Sequence, residues 1–379
     1  MSASSRRITG AAVLIGLLGA ALATLVLVDV SAGPSVTPRA GSGTGPGGLW
    51  PARPAGAANT SASSRAGLRL LSEAAAAGMA TSYQGEQIVA WWGPYGGTTS
   101  VVQVWHQRGR TILAQVTDMG SVPPAAAPQP STAGEQEPDG ILGLSRQLVN
   151  LMRANYQVAD IGQGWTDDRQ AQIVELRRPD GSLAARFWLD TETKLPLRRE
   201  IFDSGARMIS EDAFINLRLG SSGLRGMPAT DARPWSPRLD QAQIARLRMQ
   251  GWPVPAELPG NLLLVAAHQT HAAVGPVIDL DYSDGLSVVS IFLQRGQLQG
   301  TLPGWRETRL QGHPVYSTNP NLRSVAWSAH GFVYTVIAEA PPATVDQIVD
   351  ALPHDAGPGF WGRIGRGLGR LVSWVNPFR

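Results

Sequence analysis

The chain contains no cysteine among its 379 residues. That absence excludes disulfides, thiolate metal sites and cysteine nucleophiles, so each folded unit must be held together by packing alone. Lysine is nearly absent as well, because Lys194 is the only one and arginine carries almost all of the positive charge. Charged residues make up only 16% of the chain and the net charge is +3. Since the arginines are scattered outside the C-terminal tail, the pattern argues against a nucleic-acid partner.

Motifs that carry catalysis are also missing. The sequence has no GxSxG, no P-loop and no HExxH, so neither a hydrolase nor a P-loop nucleotide-binding function has a supporting motif. His268 and His271 lie three residues apart at a predicted strand end, where their side chains point to opposite faces. Asp279 and Asp281 mark the polar face of a predicted strand, and Asp284 is a turn residue. We therefore expect no enzyme activity, no cofactor and no metal; a secreted hydrolase is the alternative.

The N-terminus carries the longest apolar run. Arg6 and Arg7 precede an apolar stretch from Ile8 to Val28, about as long as the roughly 20 residues that a helix needs to cross a bilayer. Positive charge before the run and none directly after it places the remainder of the chain outside the cytoplasm.

Residues 1–30 are accordingly predicted to be an uncleaved membrane anchor. Val30-Ser31-Ala32 could instead be a small-residue cleavage site, which makes a removed secretory signal the alternative. Either interpretation predicts an extracytoplasmic protein. Residues 31–63 are rich in Gly, Pro, Ala, Ser and Thr, a composition typical of a flexible linker.

Residues 64–220 are predicted to form the first domain, with two helices and a long antiparallel sheet. The segment Ala185–Gly220 is the clearest part, because apolar residues alternate with polar ones between Asp/Thr/Ser/Gly turns. That period is typical of an antiparallel meander and places the domain in the α+β class. Residues 118–140 are Pro- and Ala-rich and are predicted to be a long loop.

Residues 221–238 are predicted to be a second linker, and residues 239–355 a smaller C-terminal domain of mixed helices and strands. Ser283-Asp284-Gly285 separates two strand-like runs, which predicts a hairpin by its turn chemistry. Pro341-Pro342 ends the last strand and suits the first turn of a helix.

Tryptophan is abundant, with twelve residues in the chain. Trp91, Trp92, Trp105 and Trp188 lie on predicted strands of the first domain, where they are candidates for the wall of an apolar ligand-binding groove. Ordinary core packing is the alternative, because aromatic residues favour strands in general. Adjacent residues of a strand point to opposite faces, so Trp91 and Trp92 cannot both face the core.

Residues 356–379 form a basic amphipathic tail. A helical projection separates an apolar arc from an arginine arc, which is typical of a helix lying in a membrane interface. Several glycines weaken that helix in isolation, so we expect it to fold on a bilayer or a partner, or else to dock on its own domain. The predicted membrane-interacting residues are Trp361, Arg363, Ile364, Arg366, Leu368, Arg370 and Trp374.

Four segments resemble one known family. FWLDTETKLPLRREIFDSGARMISEDAFINLRLG within the predicted meander is similar to the first domain of the RseB/MucB family of extracytoplasmic regulators of sigma-factor signalling. That domain in turn resembles the lipoprotein carriers LolA and LolB. GWPVPAELPGNLLL, LDYSDGLSVVSIFLQ and GFVYTVIAEAPPATVDQIVDALP follow in the order of the family's second domain.

The resemblance implies a LolA-like antiparallel half-barrel closed by helices around an apolar concavity, followed by a smaller second domain. It also implies a regulator that binds the extracytoplasmic domain of an anti-sigma factor and senses envelope stress through a lipidic ligand. The competing function is a carrier of lipids or lipoproteins that uses the same concavity. Because the matched motifs are structural, the resemblance assigns no partner-contacting residue.

Overall fold

A computed structural model describes residues 57–93, 96–107, 110–118, 134–136, 144–220, 238–272, 275–298, 302, 305–317 and 324–355. The apolar run 8–28 and the tail 356–379 lie outside these ranges, so the predicted anchor and amphipathic helix are not tested by the structure. Within the ranges given, no helix is both long and apolar enough to cross a bilayer.

The first unit is an open, nine-stranded antiparallel sheet in the order β4-β3-β2-β1-β9-β8-β7-β6-β5. The predicted meander is confirmed as β7, β8 and β9, and β9 then pairs with β1 at the centre of the sheet. The strands are β1 Tyr83–Gly93, β2 Gly96–Gln107, β3 Arg110–Asp118, β4 Gly134–Gln136, β5 Gln157–Thr166, β6 Arg169–Arg177, β7 Leu183–Asp190, β8 Pro196–Phe202 and β9 Met208–Leu219.

Two helices lie on one face of this sheet, α1 (Ala57–Ala80) and α2 (Arg146–Asn155). α1 begins inside the segment expected to be a linker, because its alanine-rich sequence has high helix propensity. The Ser63 hydroxyl donates a hydrogen bond to the Asp160 carbonyl at 2.8 Å, which joins α1 to the edge strand β5.

α2 begins later than the expected residue 141 because Ser145 caps it: the Ser145 hydroxyl accepts a hydrogen bond from the Leu148 amide. Residues 118–140 were expected to be a loop throughout, yet Gly134–Gln136 pairs with β3. A three-residue strand is too short to show period-two alternation in the sequence.

The turn between β7 and β8 is built around one buried carboxylate. Asp190 accepts hydrogen bonds from the amides of Glu192 and Thr193 at 2.8 and 2.9 Å, and it also forms an ion pair with Arg169. Lys194 adopts a left-handed backbone conformation with φ of 65° and donates its amine to the Thr191 carbonyl. This network explains why the phrase DTETK forms a tight turn.

The second unit is an eight-stranded antiparallel sheet in the order β10-β11-β12-β13-β17-β16-β15-β14. Its strands are β10 Glu257–Leu258, β11 Leu262–Ala272, β12 Gly275–Ser283, β13 Val288–Arg295, β14 Arg306–Leu310, β15 His313–Ser317, β16 Ser324–Ala329 and β17 Phe332–Glu339. The predicted hairpin around Ser283-Asp284-Gly285 is confirmed as β12–β13.

Two helices, α3 (Gln241–Met249) and α4 (Pro342–Ala351), accompany the second sheet. Asp240 and Gln243 form a reciprocal capping box at the start of α3, and Pro342 occupies the first turn of α4 as predicted. Ile244, Trp252 and Ile348 belong to the apolar core of this unit. Two antiparallel sheets that each carry helices confirm the expected α+β class.

Candidate functional site

The four candidate tryptophans do not line one groove. The β1–β9 register pairs Trp91 with Ser210, and Trp91 belongs to the same core as Phe187 beneath the helices. Only 5% of Trp91 is exposed. Trp91 is therefore a core residue, and the prediction that Trp91 and Trp92 point to opposite faces is confirmed.

Trp92, Trp105 and Trp188 share the face that carries no helix. Trp92 is 36% exposed, and its ring packs across Gly97. A Cβ atom at position 97 would lie 2.8 Å from the Cδ1 atom of Trp92. Trp105 is buried, and its indole N–H has no hydrogen-bond partner within the described part of the chain. The guanidinium of Arg198 lies 4.9 Å from the Trp188 ring centroid, which is cation–π geometry.

An apolar strip crosses this uncovered face. The strand register aligns side chains of β6, β7, β8, β9, β1 and β2 in one row, in which only Arg198 is charged. All members of the row are half-buried. The row consists of Ile173, Trp188, Arg198, Ala213, Ile88 and Val101.

A ladder of ion pairs accompanies the apolar strip. Glu175 pairs with Arg177 at 2.5 Å and with Arg186 at 3.0 Å, while Arg198 pairs with Glu200 at 2.6 Å and with Glu211 at 3.0 Å. Three arginines balance three glutamates, so the ladder itself carries no net charge. It is better suited to an amphipathic partner than to a polyanion. The sequence shows the charge alternation, but only the strand register shows that the strip is continuous.

The helix-covered face has an apolar half. Side chains of α1 and α2 pack over β5, β6 and β7, and the central residues of this cluster are fully buried. They include Leu71, Val174, Leu176 and Phe187. The resemblance implied an apolar concavity in this region, and the side chains of the described residues form a dense core there.

The rest of the same face carries buried polar residues as well as a second apolar cluster around Phe214. Arg199 of β8 forms an ion pair with Asp212 of β9 at 2.5 Å, and Glu339 of β17 approaches Arg199 to 3.9 Å. Ser210 and Gln87 are also buried on this face. Glu339 belongs to the second sheet, so this polar cluster is one of the places where the two sheets meet.

The β12–β13 turn forms another contact between the two units, in addition to the hydrogen bonds of Gln147 of α2 with Val265 and Arg238. Asp284 is buried there, and the Tyr156 hydroxyl donates a hydrogen bond to its Oδ2 atom at 2.6 Å. Burial raises the pKa of Asp284, although the hydrogen bond from Tyr156 and those from the Leu286 and Ser287 amides act in the opposite direction. The sequence places Asp284 in a turn but contains no sign that the turn reaches the first unit.

Asp279 of β12 is a further buried carboxyl, although the sequence predicted only that it marks the polar face of its strand. It does lie on the face opposite the core residues Ile278 and Leu280, yet it is only 9% exposed. Burial, together with the neighbouring charge of Asp281, raises its pKa well above the ordinary value. Its Oδ1 atom has no hydrogen-bond partner within the described ranges. No group of three or more potential metal ligands occurs in the described part of the chain.

These features define the class of protein. It is an α+β chain of two antiparallel sheets. Its described residues offer an extended sheet surface for contacts and show no cluster of catalytic side chains. Residues 100–239 match the model of the MucB/RseB N-terminal domain. Over these residues the chain is similar to the MucB/RseB family, as the resemblance implied. The match ends before α3, so the assignment of residues 239–355 to the family's second domain stays a prediction.

Comparison with solved structures gives matches at low identity. A structure of MucB is 19% identical with a TM-score of 0.47, covering 77% of this chain and 98% of that one. The MucA/MucB complex of Pseudomonas aeruginosa is 18% identical with a TM-score of 0.44, covering 77% and 100%.

A putative outer membrane lipoprotein-sorting protein domain from Vibrio parahaemolyticus is 13% identical with a TM-score of 0.20, covering 42% of this chain and 94% of that one. Comparison with curated proteins gives no match.

Proposed function

We propose that this protein is an extracytoplasmic regulator of sigma-factor signalling that binds an anti-sigma factor. The observation that carries the proposal is the MucB/RseB N-terminal domain over residues 100–239. MucB has been solved in complex with MucA(peri), and we extend that mode of association to this chain. A non-enzymatic role follows from the same regulatory class and stays a prediction.

The partner surface that we propose is the uncovered face of the first sheet. Of the four candidate tryptophans, Trp92 and Trp188 present accessible ring surface there, whereas Trp91 and Trp105 are buried. An amphipathic segment of an anti-sigma factor would place apolar side chains on the strip and polar ones on the ion-pair ladder.

A lipidic ligand is the signal that we propose for the release of the partner. A ligand shifts the equilibrium from the partner-bound to the partner-free state only to the extent that it binds the partner-free state more tightly. The apolar half of the helix-covered face is the region that suits acyl chains. Residues 1–30 would hold the protein on the outer side of the cytoplasmic membrane, with a cleaved signal as the alternative.

Co-purification of the full chain with a single-pass anti-sigma factor from the same cell tests the proposal. We expect a stable complex that is weakened in a variant carrying Trp92→Ala and Trp188→Ala. Trp165→Ala is the matched control, because Trp165 is a 72% exposed tryptophan on the edge strand β5, away from the strip. Failure to bind any such partner, combined with acyl chains found by mass spectrometry in the purified protein, would favour the lipid or lipoprotein carrier.

A further inference from the structure

The β12–β13 turn of the second sheet lies directly against the helix α2 of the first unit. Besides the hydrogen bond from Tyr156 to its carboxyl group, Asp284 accepts one at its backbone carbonyl from the Asn155 side-chain amide at 2.9 Å. The Oδ1 atom of Asp284 accepts hydrogen bonds from the amides of Leu286 and Ser287 at 2.9 and 2.7 Å. One residue therefore shapes the turn and attaches it to the end of α2.

Gly285 brings the backbone of the turn unusually close to α2. A Cβ atom at this position would lie 2.6 Å from the Met152 amide nitrogen and 3.0 Å from the Leu148 carbonyl oxygen. Its φ of +105° is also one that residues with a side chain rarely adopt. Position 285 therefore requires glycine for two independent reasons, which are its positive φ and the close contact between the turn and α2.

Leu286 completes the contact from the second unit. Its side chain is 6% exposed and belongs to the core of the first sheet, in one cluster with Leu148 and Met152 of α2. The turn thus contributes a core residue to a unit that otherwise ends about 65 residues earlier at β9.

α2 depends on these contacts because it is short. It has ten residues, and helices shorter than about 12–15 residues are marginal in water without tertiary packing. One side of α2 covers the apolar half of the first sheet, where Leu148, Val149 and Met152 are buried. The turn of the second sheet packs against α2 near its C-terminal end.

We propose that α2 is a lid over the apolar interior of the first sheet and that the turn 283–287 is the latch that keeps this lid closed. An acyl chain can enter the interior only if α2 moves, and α2 can move only if the turn releases Asn155 and Tyr156. Entry of the acyl chain and separation of the two sheets are therefore coupled, and each of them makes the other more favourable. The proposal takes the lipidic nature of the ligand from the proposed function and adds the residues that regulate its entry.

Two variants weaken the latch in different ways. Tyr156→Phe removes the hydroxyl that donates to Asp284 and keeps the ring, and Gly285→Ala inserts a methyl group against the backbone of α2. Tyr282→Phe is the control for the first, because the Tyr282 hydroxyl donates to the Pro255 carbonyl inside the second unit. Gly331→Ala is the control for the second, since Gly331 has φ of +80° and an added methyl group there would meet no atom within 4 Å.

The experiment measures domain separation and ligand entry in the full chain in mild detergent. Spin labels on Glu192→Cys and Met249→Cys report the distance between the units by pulsed electron resonance, with no background labelling because the chain lacks cysteine. Both positions are strongly exposed, at 86% and 81%. A photoactivatable palmitic acid bearing a diazirine reports entry through its crosslinks to peptides of α1 and β7.

Both latch variants should broaden the distance distribution and raise the crosslink yield several-fold, while the two controls match the wild type. An unchanged distribution in Tyr156→Phe refutes the latch, and a broadened distribution with unchanged crosslinking refutes the coupling. If Gly285→Ala does not fold, Tyr156→Phe alone decides between these outcomes. Neither readout involves an anti-sigma factor, so failure here leaves the co-purification result unaffected.

Discussion

The guanidinium of Arg199 and the carboxylate of Asp212 form a buried ion pair at 2.5 Å between neighbouring strands of the first sheet. Replacing Asp212 with Asn should destabilise the protein by about 3–5 kcal/mol, because it leaves a buried charge without its main partner. Urea unfolding measures this. Glu73→Gln is the control: it breaks the exposed Arg69–Glu73 pair on α1 and should cost less than about 1 kcal/mol. Equal effects of the two substitutions would contradict the assignment of Arg199 as a buried charge.

The Asp190 turn should make stability depend on acidic pH. Burial opposes ionisation of Asp190, but the hydrogen bonds from Arg169 and from the Thr193 and Glu192 amides outweigh it, and its pKa is lowered. A group whose pKa is lowered in the folded state contributes stability at pH values above its unfolded pKa of about 4. That contribution is lost as pH falls through the folded-state pKa. Unfolding free energies between pH 6 and 3 should therefore fall less steeply in Asp190→Asn than in the wild type. Parallel curves would show that the carboxylate has no such role.

Asp279 should have the opposite pH dependence. Its pKa is raised by burial and by Asp281, so ionisation opposes folding, and stability is lost as pH rises above the unfolded value. Asp279→Asn cannot ionise, so it should lose less stability between pH 5 and pH 8 than the wild type does, and at pH 8 it should be the more stable of the two. Thermal unfolding at pH 5 and pH 8 tests this. The exposed Glu257→Gln should change stability at neither pH, and a loss of stability in Asp279→Asn at pH 8 would contradict the prediction.

Trp91 and Trp188 should respond differently to truncation although both lie on the first sheet. Trp91→Ala leaves a cavity beneath the helices and should cost about 3–5 kcal/mol. Trp188→Ala removes a partly exposed ring and its contact with Arg198, which is worth about 0.5–2 kcal/mol. Chemical denaturation of both variants gives the comparison. A larger loss for Trp188→Ala would mean that the uncovered face supports the fold more than the helix-covered face does.

The tail prediction can be tested without any assumption about its conformation. Deleting residues 359–379 should reduce sedimentation of the protein with vesicles of anionic lipid, because the tail combines large apolar residues with Arg363, Arg366 and Arg370. Replacing these three arginines with Gln should weaken binding to anionic vesicles and leave binding to neutral vesicles unchanged. Undiminished vesicle binding after the deletion excludes a membrane role for the tail.

Period-two alternation made the strands and hairpins predictable from the sequence, from the Ala185–Gly220 meander to the β12–β13 turn. The opposite orientation of Trp91 and Trp92 was predictable for the same reason. The contact between Tyr156 and Asp284 was not, because 128 positions separate them and no local pattern records which turn meets which helix. The burial of Asp279 was also missed, since alternation assigns a residue to a face but does not show whether that face is covered.

The insertion of Leu286 into the first core has a consequence for the order of synthesis. Residues up to β9 leave the ribosome with a gap beside α2, which is filled only after the β12–β13 hairpin has followed. Contacts between residues so distant in the chain form slowly, and an incomplete core exposes apolar surface in the meantime. The first unit should therefore depend on a holding chaperone for longer than its own length would require.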